Sequence, residues 1–515
     1  MILLRSGLAL LSVLSSGWLP IPGAAIAQEE PPGSTAPDGA EEAVDEAAPV
    51  VSGALPEGEL GAALGPILQA SAVRRSTFGV QVVDVRTGEE VFSVQPDRPL
   101  LPASTTKLVT SAAALDVLGP SYTFTTDVFV DGPISGGVLD GNLYIQGHAD
   151  PTLMAEKLWR ILKDVRNDGV DRVRGNLIFD ESFFDEDYLI PGWDNEDDLS
   201  RGVTYFPPVG ALASDFGAVT LIVRPGAEAG AKAVVEPATA APGYVVVDND
   251  LVTAREGTRN RISFVRRVKS DRIEYAVSGT IALDSDTKQY RHTYRDPTAY
   301  TMAVVRGLLA EVGITIDGAL QRGEVPSTGA RRIHRLYSPP LASVLSDTNK
   351  YSSNYMAEMV LRTLGAEKGG KGTTEEGVRV VGAYLDRIGV PRSDWTIRNG
   401  SGLSRETRIA PSVLTAVLLD MAHNRRVGPE FASSLSIAGK DGTLTSRMED
   451  IAGRVRGKTG TLGGVHCLAG FAEGPAEGMY AFAFFVNDIR GSVDSVKAVQ
   501  DDFLRELVES EEGGR

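Results

Sequence analysis

Cysteine is nearly absent from this chain of 515 residues: Cys467 is the only one, so no disulfide can form within it. Its neighbours Val465, Leu468 and Phe471 make an apolar run, where a lone thiol behaves as a small core hydrophobe rather than as a nucleophile. Histidine is scarce as well. His148, His292, His334, His423 and His466 are scattered, and none pairs at the short spacings of a zinc site, so neither a metal centre nor a cofactor is expected. Residues 28–56 hold no Lys or Arg and consist largely of Ala, Pro, Gly, Glu and Asp. Such a stretch cannot bury enough apolar surface to offset its chain entropy and reads as a disordered acidic leader. Positive charge is in deficit overall, with a formal net charge of -17. That argues against nucleic acid as a partner and against a polybasic membrane contact.

Residues 1–27 have the organisation of a secretory signal peptide. Arg5 lies in a short n-region, Leu8 to Leu19 is mostly apolar, and Ala25-Ile26-Ala27 supplies a small-residue cleavage site. The apolar run is short and broken by Ser15, Ser16 and Pro20, which disfavours a membrane anchor. No membrane-spanning segment is expected once this peptide is removed. The full chain is 42% hydrophobic and 23% charged, enough for several packed cores.

Alternation predicts a β-hairpin from Phe78 to Asp84 and Glu90 to Val94, turning at Arg86-Thr87-Gly88-Glu89. An Ala- and Leu-rich helix follows Pro102 and runs to Leu118, where Gly119-Pro120 stops it. Between Phe124 and Tyr337 the pattern becomes many short strands, among them Gly141 to Gln146, Gly175 to Phe179, Val219 to Val223 and Arg261 to Phe264, with a helix from Met302 to Val312. A structureless loop of that length would be improbable inside a compact domain. The expected organisation is therefore one α/β (α+β) catalytic domain formed by 57–123 and 338–515, with a mostly β insertion at 124–337 in two subdomains. Helices are expected at Leu341 to Lys350, Asn354 to Leu364, Glu375 to Ile388, Pro411 to Asn424 and Val493 to Leu507. Strands are expected at Gly464 to Ala472 and Met479 to Val486.

Three strings carry the chemistry: Ser104-Thr105-Thr106-Lys107, Ser352-Ser353-Asn354 and Lys458-Thr459-Gly460. A serine hydroxyl is a weak nucleophile at neutral pH. A lysine one helical turn away can take its proton if burial and a neighbouring cation keep the amine neutral. Each string alone is weak evidence. Ser285 and Lys288 repeat the first pattern in a polar stretch read as a surface loop, and Arg86-Thr87-Gly88 imitates the third. Ser352-Ser353-Asn354 alone is most often a helix cap. Their order, spacing and local context together match a lysine-activated serine site.

On these strings the chain resembles the low-molecular-mass penicillin-binding proteins of the D-alanyl-D-alanine carboxypeptidase/endopeptidase group, peptidase family S13. The resemblance extends from about Phe78 to Phe503. It also rests on Gly141-Asn142-Leu143-Tyr144 with Asp150-Pro151-Thr152-Leu153, on Pro191-Gly192-Trp193, on Asn399-Gly400-Ser401-Gly402-Leu403-Ser404, and on Asp441-Gly442-Thr443-Leu444. It implies a penicillin-binding protein/serine β-lactamase-like fold and an exported, periplasmic enzyme that acts on peptidoglycan peptides and is acylated by β-lactams.

The resemblance further implies that Ser104 is the nucleophile, Lys107 its base, Ser352 the proton relay and Asn354 the orienting amide. Lys458 would supply positive field, Thr459 and Thr461 beside Gly460 would bind a terminal carboxylate, and the amides of Ser104 and Thr461 would form the oxyanion hole. In the middle of the second string stands Ser353, where family members often carry aspartate. An acidic residue after Pro191-Gly192-Trp193 would meet the amino end of a diaminopimelate side chain; gap-free matching picks Asp197, and matching on Asp198-Leu199 picks Asp198.

Two other readings exist. A β-lactamase would need a dedicated deacylating base, and no Glu-x-x-Leu-Asn string of the class A kind is present. A catalytically impaired cell-wall binding module of the same fold would not need all of Ser104, Lys107, Ser352, Asn354 and Lys458.

Overall fold

A computed structural model describes residues 59–193, 202–474 and 478–510. The signal peptide, the acidic leader, Asp197 and Asp198 lie outside the described residues.

The first hairpin forms as Thr77–Asp84 and Glu90–Val94, with a bulge between Val82 and Val83. It makes one side of a six-stranded antiparallel sheet, continued in order by Met479–Asn487, Val465–Glu473, Val455–Leu462 and Ser436–Ile437. Strands from early and late in the chain thus hydrogen-bond side by side. Side chains alternate between the two faces of a strand, and both faces of this sheet are covered. Cys467, Ala469, Phe471, Ala481, Ala483 and Phe485 pack on one face among helices. Leu468, Phe482, Phe484 and Val486 pack on the other against Phe503, Leu504 and Leu507 of the closing helix Val493–Glu509. Full burial of one such large apolar side chain is worth about 1.5–3 kcal/mol. Cys467 is buried as a core residue, and burial pushes its thiol pKa up.

The first helical core is centred on Thr106–Leu118, whose residues from Thr106 to Leu115 are all buried. A helix apolar on every side must be surrounded. Here Leu341–Lys350, Asn354–Leu364, Thr374–Arg387 and Pro411–His423 contribute to the same core.

From Thr125 to Tyr337 the chain builds smaller sheets. The largest has five strands in the order Leu320–Arg322, Leu177–Asp180, Leu143–His148, Thr125–Val130 and Arg331–Tyr337. These sheets share a core with the helices Ala155–Asn167 and Pro297–Val312. The second helix begins earlier than the expected Met302, because the Asp296 carboxylate accepts from the Ala299 amide and Pro297 pre-sets the first turn. The decoy serine Ser285 sits in a polar turn and accepts from Asn260, whereas Lys288 is no loop residue and opens the strand Lys288–Thr293.

Two features tie these smaller sheets to the helix that begins at Asn354. Trp193, Phe184, Ile190 and Val209 pack against Tyr355, Met356 and Met359. On the same helix the buried Arg362 pairs with Asp185 and donates to the carbonyls of Asp187 and Val209.

Candidate active site

Ser104 lies in a single 3-10 turn, Ala103–Thr105, that feeds directly into the helix Thr106–Leu118. Of the residues from Pro102 to Lys107, only Ser104 keeps partial exposure. The segment before the turn is tied to the central strands: Leu101 donates its amide to Asn487 and accepts at its carbonyl from Asn487 and from the Cys467 thiol. Ala103, immediately before the serine, is held at φ +47°, and Ser352 at φ +56°. Such left-handed conformations cost non-glycine residues about 1–3 kcal/mol. They persist only where surrounding structure holds them.

Lys107 is fully buried, and its Nζ meets three oxygens: Ser104 Oγ at 2.9 Å, Asn354 Oδ1 at 2.8 Å and the Ser401 carbonyl at 2.9 Å. Asn354 cannot be turned over, because its Nδ2 donates to the Tyr205 carbonyl at 3.1 Å, which only accepts. Asn354 Oδ1 and Ser401 O are therefore both obligate acceptors. A neutral amine has two hydrogens and one lone pair. In that state the two hydrogens would go to those oxygens, leaving the lone pair for the Ser104 hydroxyl. Burial holds the Lys107 pKa well below its ordinary value, and the charge of Lys458 pushes it the same way; Glu358 pulls it up.

Lys458 stands on the strand Val455–Leu462, also fully buried, with Nζ donating to Ser352 Oγ at 2.9 Å and to the Thr459 carbonyl at 2.8 Å. Burial lowers its pKa to about 7. Gly460 is what lets this strand approach the serine turn, since a Cβ there would lie 2.7 Å from the Pro102 carbonyl. The Thr459 hydroxyl lies 2.8 Å from that of Thr443, and the exposed Thr461 hydroxyl 3.0 Å from His466 Nδ1. Ser353 Oγ accepts from the Met356 amide at 3.2 Å and caps the helix that starts at Asn354.

The structure thus brings Ser104, Lys107 and Asn354 into one hydrogen-bonded group and joins Ser352 to Lys458. The match of residues 60–506 to the family model for D-Ala-D-Ala carboxypeptidase 3 (S13) covers both groups. The chain belongs to the S13 family. Among curated S13 relatives, the D-alanyl-D-alanine carboxypeptidase of Actinomadura sp. (strain R39) is 35% identical over 469 residues, which is 88% of this chain and 85% of that protein. The D-alanyl-D-alanine carboxypeptidase DacB of Haemophilus influenzae is 26% identical over 393 residues, 75% of this chain and 80% of that one. The crystal structure of penicillin binding protein 4 (dacB) from Haemophilus influenzae superposes with a TM-score of 0.72 at 25% identity, covering 86% of this chain and 98% of that chain. The α/β penicillin-binding-protein fold is thereby established.

The S13 site contains groups that motif reading did not assign. Buried Glu358 accepts the amides of Gly400 at 2.9 Å and Ser401 at 2.7 Å, shaping the loop whose carbonyl holds Lys107. Burial pushes its carboxyl pKa up, against the pull of those hydrogen bonds and of Lys107. Gly402, at φ +81°, presses on the serine turn so closely that any Cβ would meet the Ala103 carbonyl. A sequence signal for Glu358 existed: it is a lone acid in the apolar run from Tyr355 to Leu361.

Proposed function

We propose that this protein is a serine DD-peptidase acting on peptidoglycan stem peptides and cross-links, as D-Ala-D-Ala carboxypeptidase, DD-endopeptidase or both, through an acyl-enzyme on Ser104. The observation that carries the reading is the Lys107 Nζ, which lies 2.9 Å from Ser104 Oγ while its two other partners, Asn354 Oδ1 and the Ser401 carbonyl, are oxygens that only accept. Lys107 takes the hydroxyl proton as Ser104 attacks the carbonyl between two D-residues. The tetrahedral oxyanion is received by the backbone amides of Ser104 and Thr461, the kind of fixed donor pair that is usually the largest single contribution to acyl transfer. Ser352, held by Lys458, passes the proton to the leaving amine, and water later releases the acyl group.

The terminal carboxylate meets Thr459 and Thr461, and one of Asp197 and Asp198 meets the amino end of the stem peptide's side chain. A β-lactam presents a strained amide to the same serine and remains attached. Penicillin binding protein 4 (dacB) from Haemophilus influenzae, which shares this fold, has been crystallised complexed with a β-lactam. The enzyme works after export, in the periplasm. The reading of residues 1–27 supports that, and among the described residues no helix is long and apolar enough to cross a membrane.

Labelled penicillin tests the proposal. Wild-type protein should retain one covalent label, mapped by peptide mass spectrometry to Ser104, and Ser104→Ala should retain none. Labelling that persists in Ser104→Ala would refute it, and rapid turnover of the drug would point to a β-lactamase.

A further inference from the structure

Thr461 sits opposite His466 in the register of two neighbouring strands, and its hydroxyl meets the imidazole Nδ1 at 3.0 Å. The ring is buried, and its other nitrogen, Nε2, lies 3.3 Å from a guanidinium nitrogen of Arg447. Arg447 is fixed in turn by Asp501 of the closing helix, at 2.6 and 3.0 Å, and by the Lys497 carbonyl at 3.2 Å. Arginine only donates. Nε2 must therefore accept, the single ring hydrogen must sit on Nδ1, and Nδ1 must donate to Thr461. Burial and the charges of Arg447, Lys497 and Lys458 favour the same neutral ring.

With its oxygen engaged as an acceptor, the Thr461 hydroxyl keeps its own hydrogen for a partner on the open side. Thr459 differs: its hydroxyl spends its hydrogen on the Thr443 hydroxyl, to which it donates at 2.8 Å. From this contrast we infer that His466, oriented by Arg447 and Asp501, is a positioning residue that sets the Thr461 hydroxyl as a fixed donor toward the substrate's terminal carboxylate. The closing helix thereby contributes to specificity although it supplies no group that touches substrate. This inference rests on the proposed carboxylate site and goes one step behind it.

The experiment compares hydrolysis of a peptide ending in D-Ala-D-Ala with hydrolysis of the same peptide carrying a C-terminal amide. His466→Ala should lose about 10- to 100-fold in kcat/KM on the free acid, the range of one hydrogen bond to a charged group. On the amide it should lose far less. His466→Asn, whose amide nitrogen can stand where Nδ1 stands, should recover most of the acid selectivity. Thr461→Val deletes the hydroxyl without touching the buried ring and should show the same selective loss, which keeps the inference testable even if His466→Ala does not fold. Equal losses on both peptides, failure of asparagine to restore selectivity, or a Thr461→Val enzyme with wild-type selectivity would overturn the role of His466. A wild-type enzyme indifferent to acid and amide would overturn the carboxylate reading itself, and this inference with it.

Discussion

A Cβ built on Gly460 would stand 2.9 Å from the amide nitrogen of Ser104. That is closer than real Cβ atoms approach, so the strand and the serine turn fit together only because the third residue of Lys458-Thr459-Gly460 has no side chain. Gly460→Ala should force the two apart by a fraction of an ångström to an ångström. Misplacement of that size can cost about 100-fold in rate. Penicillin acylation should fall by that order, and the thermal unfolding midpoint should fall too, since the clash is with backbone and overpacking costs about 1–3 kcal/mol; an unchanged acylation rate would show that the contact is not needed.

The two buried lysines should titrate as a coupled pair. In the proposed mechanism acylation needs Lys107 neutral, and its pKa is held low first by burial and then by the charge on Lys458. Lys458, with a pKa lowered to about 7, carries that charge mainly below this pH. Replacing it with glutamine removes a downward push, so Lys107 keeps its proton to higher pH. The acid limb of the pH profile for acylation should therefore move upward in Lys458→Gln. A limb that stays in place or moves down would mean that Lys458 does not act on Lys107 through charge.

Ser353 stands where the family resemblance implies aspartate, yet it performs a task either residue can perform: its Oγ caps the helix that carries Asn354. Ser353→Ala should cost about 1 kcal/mol of stability, whereas Ser353→Asp should be nearly neutral because both residues are good N-caps. Urea denaturation of the two variants measures this. A Ser353→Ala protein as stable as the wild type would show that the cap contributes nothing.

How far the site could be read in advance follows from what each group is. Ser104, Lys107, Ser352, Asn354 and Lys458 are chosen by side-chain chemistry and fall in short strings, so they stand out in the sequence. The carbonyls of Ser401 and Tyr205, which fix the hydrogens of Lys107 and the flip of Asn354, are backbone atoms that any residue could supply. Nothing in composition marks them. Glu358 acts on Lys107 through a loop more than 40 residues away, contact that only the folded chain creates. The outer strands and helices were legible from alternation and stop signals, with ends displaced by caps such as Asp296 before Pro297. The pairing of Thr77–Asp84 with Met479–Asn487 was not, because register across 400 residues leaves no local trace.

The central claim is that a neutral Lys107 takes the proton of Ser104, and the rate of penicillin acylation in Lys107→Ala tests it most directly. General-base catalysis is worth about 100- to 10,000-fold, so the variant should be slower by that order across the pH range while unfolding at a temperature near that of the wild type. A folded Lys107→Ala protein that acquires the label at the wild-type rate would contradict the account.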